Sequence, residues 1–255
     1  MAPPARLNER AAAKPGDFLW HVDAGWSLFA GTLGRNAPHA HSAAVYLAGL
    51  YDTFRLRVAD GPWRTCRAAV VRAGTPYEFD VGQPLGVLYL EPSMGRAEAL
   101  APMLREGEEV RGALIGSGDV GFIRELFERR PTASDLSAIT AEMLVAAKAR
   151  TRRAMDARIS RAAELLQSLG DAACPVQEIA SAAGMSPSRF QHLFTAEVGV
   201  PFRRYRSWQR LRGAIRSAAA GASLTEAAHA AGFADQAHFS RAFRAAFGAP
   251  PSRGL

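Results

Sequence analysis

The chain has 255 residues, of which 48% are hydrophobic and 22% charged, and a formal net charge of +7. That length supports two domains with buried cores, and no run of about eighteen apolar residues offers a membrane span. Residues 1–17 carry charges and prolines without the apolar core of a signal peptide, and are expected to form a flexible tail.

Charge is divided sharply along the chain. Residues 1–150 hold 17 Lys and Arg against 17 Asp and Glu, whereas residues 151–255 hold 14 Arg, no Lys and 7 acids. The whole excess therefore sits on the C-terminal part, the footprint of a polyanionic partner. A compositional bias toward arginine explains the scarcity of lysine but not its confinement to one region. Cys66 and Cys174 match no metal or redox spacing, which fits a reduced, cytoplasmic setting.

From residue 18 the chain reads as strands. Gly25–Gly31 opens the series, and His39–Leu50 is largely apolar up to a turn at Tyr51-Asp52. Phe54, Leu56 and Val58 alternate with Arg55 and Arg57, the period of a half-buried strand. Asp60-Gly61-Pro62 turns the chain into one strand from Trp63 to Val71. Tyr77, Phe79 and Val81 then alternate with Glu78 and Asp80, and Leu85–Leu90 follows. Short strands at roughly ten-residue intervals, separated by Gly and Pro turns, predict an all-β barrel or sandwich over 18–95.

Residues 96–150 are expected to be a helical linker with a dimerisation segment. Arg96–Leu104 is short and interrupted by Pro102, and GSGDVG at 116–121 is a lone glycine turn. Val120–Arg129 gathers Phe122, Ile123, Leu126 and Phe127. Ser134 caps a helix with Leu136, Ile139, Met143, Leu144 and Ala147 along one face. That stripe suits either pairing with a second copy or packing against the barrel. The domain boundary falls at Arg150–Arg153. Beyond it, Arg158–Leu169 sets Ile159, Ala162, Leu165, Leu166 and Leu169 on one side.

The rest of the chain writes one pattern twice. VQEIASAAG (176–184) and SPSRFQHLFTAEVGVP (186–201) return as LTEAAHAAG (224–232) and DQAHFSRAFRAAFGAP (235–250). Each copy predicts a helix, a tight turn and a second helix, over 175–198 and 223–247. Gly184 and Gly232 stand where the chain must turn left-handed. Ser186 and Asp235 cap the second helices, and Ser223 with Glu226 forms a capping box. Phe190, Leu193, Phe194 and Val198 are predicted to be buried, as are Phe239, Ala242, Phe243 and Phe247. Ser188, Gln191 and His192 lie on the opposite face of one second helix, and Ala237, His238 and Arg241 on that of the other. Between the copies, Phe202, Tyr205, Trp208, Leu211 and Ile215 line one face of an arginine-rich helix. Its roughly eighteen residues span about 27 Å, near the ~34 Å between successive major-groove faces.

On these residues, 158–253 resembles the DNA-binding domain of AraC/XylS-type transcription regulators. The resemblance rests on Ala180, Gly184, Ala228, Gly232, Phe233, Phe239, Phe243, Gly248 and Pro251, within GFADQAHFSRAFRAAFGAPPSR. It implies two helix-turn-helix units joined by a long helix, reading adjacent major grooves. Ser188, Gln191, His192, Ala237, His238 and Arg241 are then the base-reading residues. Arg203, Arg204, Arg206, Arg210, Arg212 and Arg244 are the expected phosphate contacts. The family often has a large or basic side chain where Ser188 and His192 stand, which implies weaker reading by the first unit.

HAH at 39–41 and AGTPY at 73–77 resemble the cupin-like sensor domain common in that family. The expected effector pocket comprises His39, His41, Tyr77 and Tyr89. Cupin enzymes add an acid and a later histidine, where this chain has Tyr77. Two imidazoles fall short of the three protein ligands of catalytic zinc or iron, so no metal, cofactor or enzymatic activity is expected. The fold class is therefore multidomain: an all-β cupin-like barrel with trailing helices, then an all-α domain of two helix-turn-helix units. Expected partners are double-stranded DNA, RNA polymerase, a small-molecule effector and a second copy of the chain. The alternatives are a cupin-type metalloenzyme with an appended DNA-binding domain, and a protein that compacts DNA without sequence preference.

Overall fold

In a computed structural model of the chain, residues 18–132, 134–136, 155–169, 175–253 and 255 are described. The predicted tail at 1–17, the stripe from Ile139 to Ala147, the boundary at Arg150–Arg153 and Cys174 lie outside them.

Ten strands lie in two antiparallel sheets. They are β1 (Phe18–Val22), β2 (Trp26–Gly31), β3 (Ala44–Gly49), β4 (Phe54–Val58), β5 (Arg64–Cys66), β6 (Ala68–Val71), β7 (Tyr77–Asp80), β8 (Leu85–Leu90), β9 (Leu104–Val110) and β10 (Ala113–Gly118). The larger sheet runs β1-β2-β8-β3-β6-β10-β9 and the smaller β5-β4-β7. Phe29, Val45, Leu47, Val87 and Tyr89 on the large sheet meet Phe54, Leu56, Val58, Tyr77 and Phe79 on the small one. The other face of the large sheet holds Leu28, Tyr46, Val70 and Leu88. It is covered by α1 (Ala97–Leu100) and α2 (Gly121–Arg129), through Leu100, Ile123, Leu126 and Phe127. A sheet covered on both sides has no solvent face to alternate against, so β2, β3 and β8 are buried at every position, while β4 alternates.

Three readings of this half need correction. The strand expected from Trp63 to Val71 is two, β5 and β6, one in each sheet, because the chain crosses between sheets at Arg67. The sheet also continues past residue 95, as β9 and β10 pair with each other and β10 pairs with β6. Those strands lie in the stretch assigned to helices, and GSG at 116–118 belongs to β10 rather than to a lone turn. The sheet edge β9 is charged and exposed, with Glu106, Glu108 and Glu109 in water. Charge suits an edge that must not pair with another chain, and it erases the apolar alternation that would have announced a strand.

The C-terminal half follows its caps. The helices are α3 (Ala157–Leu169), α4 (Val176–Ala182), α5 (Pro187–Val198), α6 (Phe202–Ala219), α7 (Leu224–Ala230) and α8 (Gln236–Phe247). Ser186 Oγ accepts from the Arg189 N–H, Asp235 from the His238 N–H, and Ser223 with Glu226 closes the capping box. Gly184 and Gly232 turn between the helices of each unit with φ of +66° and +68°, where a side chain would be strained. Leu165, expected on the buried face of α3, is exposed, whereas Ile159, Ala162, Ala163 and Leu166 are buried.

The two units are seated differently. Ile179, Phe190, Phe194, Phe202 and Tyr205 of the first belong to one continuous core with the barrel interior. The second has its own core of Leu211, Ile215, Ala228, Phe233, Phe239 and Phe243.

Candidate nucleic-acid interface and the junction behind it

Burial of Phe190 and Phe194 on α5, and of Phe239 and Phe243 on α8, turns the remaining faces of both helices outward. Ser188, Gln191, His192, Ala237 and Arg241 are exposed. His238 is half-buried, its ring 5.2 Å from that of Phe233. A groove of about 500 Å³ is lined by Gln191 from α5, Arg203, Arg206, Ser207 and Arg210 from α6, and His238 from α8. Both outward-facing helices and the connecting helix thus open onto one side of the molecule. Beside it, Gln236, Ala237, Ser240, Arg241 and Arg244 form a second open concavity.

The arginines divide by what already holds them. Among the described residues no acid stands within ion-pair distance of Arg203, Arg206, Arg241 or Arg244. Arg210 donates to the Ala231 and Gly232 carbonyls and stacks over the Phe233 ring at 4.4 Å, bracing the turn of the second unit. Arg204 donates to the Ala40 carbonyl at 2.7 Å, which ties α6 to the barrel.

Arg212 does not face the groove at all, contrary to the sequence reading. It is buried, with Nε 3.3 Å from Glu91 Oε1, and also donates to Ser27 Oγ and to the Asp23 and Trp26 carbonyls. The reason is helical phase: residues 205, 208 and 212 share one stripe of α6, so Arg212 follows Tyr205 and Trp208 onto the barrel.

Glu91 is the acceptor of that stripe and is fully buried. It accepts from Trp208 Nε1 at 2.7 Å, Gln209 Nε2 at 2.6 Å and Tyr205 Oη at 3.0 Å. Burial, with Glu91 beside it, pushes the Tyr205 phenol well above its usual range. A buried carboxylate is tolerated only with its charge paired and its lone pairs filled, and every donor comes from α6. Sequence reasoning missed Glu91 because a single acid after an apolar strand has no spacing to announce it.

His39, His41, Tyr77 and Tyr89 converge, as the sequence expected, behind this interface. His39 lies 4.8 Å from His41 and 4.4 Å from Tyr77 between ring centroids, and His41 lies 4.9 Å from Tyr89. Burial drives the His39 imidazole down to about 4, with Arg204 adding to the effect and the Ala37 carbonyl opposing it. Burial, then His39 and Arg204, hold His41 well below its usual value. Both rings are therefore neutral at pH 7. His39 Nδ1 lies 3.1 Å from Asn36 Nδ2 and 3.0 Å from the Ala37 oxygen. Among the described residues no three His, Cys, Asp or Glu side chains gather as metal ligands would. The sequence reading missed the other walls of this pocket, Trp20, Asn36, Phe243 and Phe247, since only the fold brings residues about 200 positions apart together.

Comparison with known proteins agrees with this geometry. A family model described as a helix-turn-helix domain matches residues 179–254. The chain is similar to the transcriptional activator NphR of Rhodococcus sp, with 38% identity over 117 residues, 45% of this chain and 34% of that protein. The match therefore spans about a third of that relative's length. Among solved structures, ToxT from Vibrio cholerae bound to an unsaturated fatty acid superposes with a TM-score of 0.55 at 12% identity, covering 91% of this chain and 95% of that one. An unliganded ToxT variant gives a TM-score of 0.59 at 12% identity, covering 91% and 97%. At such identity the likeness concerns the fold: a β-rich N-terminal region followed by a helical C-terminal domain.

Proposed function

Taking the C-terminal third as a helix-turn-helix domain of the AraC/XylS type, we propose that the chain is a sequence-specific DNA-binding transcription regulator controlled by a small molecule held in its N-terminal barrel. The observation that carries this reading is the shared groove: two outward helix faces and unpaired arginines on one side of the molecule. Arg203, Arg206 and Arg244 would hold phosphates, which gives affinity without sequence information. Ser188, Gln191 and His192 on α5, with Ala237, His238 and Arg241 on α8, would read base edges. Arg241 suits guanine O6 and N7.

The aromatic pocket at His39, His41, Tyr77 and Tyr89 supports small-molecule control, as does the fatty acid named in the ToxT structure. RNA polymerase and a second copy of the chain are the proposed protein partners, and DNA as target places the protein in the cytoplasm. The test is competition binding at fixed salt with the full chain. A regulator prefers its selected site over random duplex by at least ~10³-fold. Near-equal affinity for both would instead favour a protein that compacts DNA.

A further inference from the structure

Phe247 ends α8, and its ring stands in the mouth of the barrel. It lies 5.2 Å from the His41 ring, 5.9 Å from Trp208 and 6.0 Å from both Trp20 and Tyr89, and stacks on Phe243 at 4.3 Å. The helix end is fastened there. Asn36 Nδ2 donates to the Phe247 carbonyl at 3.2 Å, and the Ala37 N–H to the Gly248 carbonyl at 2.9 Å. Gly248 has φ of +70°, and a Cβ on it would stand 2.3 Å from the Ala37 oxygen. With Phe247 in place, about 30 Å³ of space remains in the pocket, far below the roughly 300–1,000 Å³ of an ordinary ligand site.

Two polar atoms in this pocket are orphaned. Tyr77 Oη and His41 Nδ1 are buried with no hydrogen-bond partner among the described residues. Each such group forfeits its hydration without compensation, so the pair marks a place where a ligand's polar group gains most. Arg204, whose charge depresses both imidazoles, is not among the walls of the pocket. Both imidazoles are neutral, the Arg204 guanidinium is turned to the Ala40 carbonyl, and Glu78 is held by Arg57. An anion brought into this pocket would stay unpaired and costly.

We propose that the pocket binds an uncharged aromatic molecule of about benzyl size with one hydrogen-bonding group, in competition with Phe247. The ligand's ring takes the place of the Phe247 side chain, and its polar group meets Tyr77 Oη and His41 Nδ1. Occupancy releases the end of α8 from the barrel. The second helix-turn-helix unit then loses its fastening at α8 and keeps only the contact of its core with Trp20 and Val22 of β1, while the first, whose core is continuous with the barrel, keeps its own. Only this last step rests on the regulator reading given above.

The test uses the full chain with benzyl alcohol, toluene and benzoate as probes, read by calorimetry and by the fluorescence of Trp20 and Trp208. Phe247→Ala is expected to bind benzyl alcohol at least ~10-fold more tightly than the wild type, because the competitor is gone. Benzoate is expected to bind neither form. Tyr77→Phe should narrow the preference for benzyl alcohol over toluene by about 3- to 10-fold, one neutral hydrogen bond's worth. Phe247→Leu, which keeps the helix end apolar, should show the same trend if the alanine variant folds poorly. Equal affinities in wild type and Phe247 variants, or benzoate binding as well as benzyl alcohol, overturns the proposal.

A duplex selected by the full chain from random sequence supplies the second readout. Saturating benzyl alcohol should shift the wild-type affinity for it, and should leave unmoved a Phe247→Ala protein that already shows the shift. A wild-type affinity indifferent to the probe overturns the coupling. If no duplex is retained at all, the regulator reading falls, and the probe competition still decides the pocket.

Discussion

The two helix-turn-helix units are near copies in sequence and unlike in mechanical setting. Phe190 and Phe194 pack into a core that runs on through Tyr205 and Trp208 to the barrel interior. Their counterparts Phe239 and Phe243 close a separate core, and the second unit reaches the barrel through Phe247 and Gly248 at one end of α8 and through Trp20 and Val22 of β1. Similar local instructions thus give one unit welded to the barrel and one tethered to it. What differs is the surroundings of each copy. The stripe of Tyr205, Trp208 and Arg212 sits next to the first unit and draws that end of α6 onto Glu91.

The sharpest way to break this comparison is to empty the two cores in turn. Phe190→Ala and Phe239→Ala should each cost about 3–5 kcal/mol. Hydrogen exchange should show the first loosening the barrel together with its own unit, and the second loosening α7, α8 and the end of α6 that they pack on. Barrel amides left unmoved by Phe190→Ala would mean that the cores are not mechanically shared. Glu91→Ala leaves the Arg212 charge buried without a partner and should also cost about 3–5 kcal/mol. Glu91→Leu combined with Arg212→Met should recover most of it. Chemical denaturation of the single and double variants checks this, and additive losses would deny the pairing.

Acid should loosen the tethered end. The folded His39 value of about 4 lies below the ordinary imidazole value of 6.5. Above about pH 6.5 both states hold the neutral ring and nothing is lost. As pH falls from there toward 4, the unfolded chain takes up a proton that the folded chain refuses, and stability drops by an amount on the order of 3 kcal/mol. His39→Gln should reduce the slope of that limb in a denaturant-midpoint profile, His41 and His21, whose values burial also lowers, supplying the rest, and an unchanged limb would assign it wholly to other groups.

Smaller effects sharpen the division of labour on the DNA side. Arg241→Ala should cost about 1–3 kcal/mol at one base position if it reads a base. A loss spread evenly over all duplexes would make it a phosphate contact instead. Arg206→Ala should weaken every duplex alike and lower the salt slope by about one. Arg212→Met should leave that slope unchanged, since its guanidinium is turned inward.

How much of this could be read from the chain follows physical range. Caps, left-handed turns and the apolar stripes of the repeat act within a few residues, and so Gly184, Ser186, Ser223, Gly232 and Asp235 sit as the sequence predicts. The exposed residues of α5 and α8 were legible for the same reason. The charged edge strand β9 was not, because its pairing with β10 compensates for a sequence without alternation. Nor was the crossing between sheets at Arg67, which depends on where the neighbouring strands lie.

The convergence of His39, His41, Tyr77 and Tyr89 was readable as short motifs, but their lid was not. Residue 247 lines the pocket because the helical domain lies against the barrel, held there in part by the bonds of α6 to Glu91. Local patterning was enough for most strands before residue 95, two helical hairpins, a basic connecting helix and the outward faces of α5 and α8. Long-range packing settled the remaining strands, which arginines remain free and which unit shares its core with the barrel. Those outcomes depend on burial against distant segments, and burial can turn a residue of seemingly surface character, such as Arg212, into part of the core.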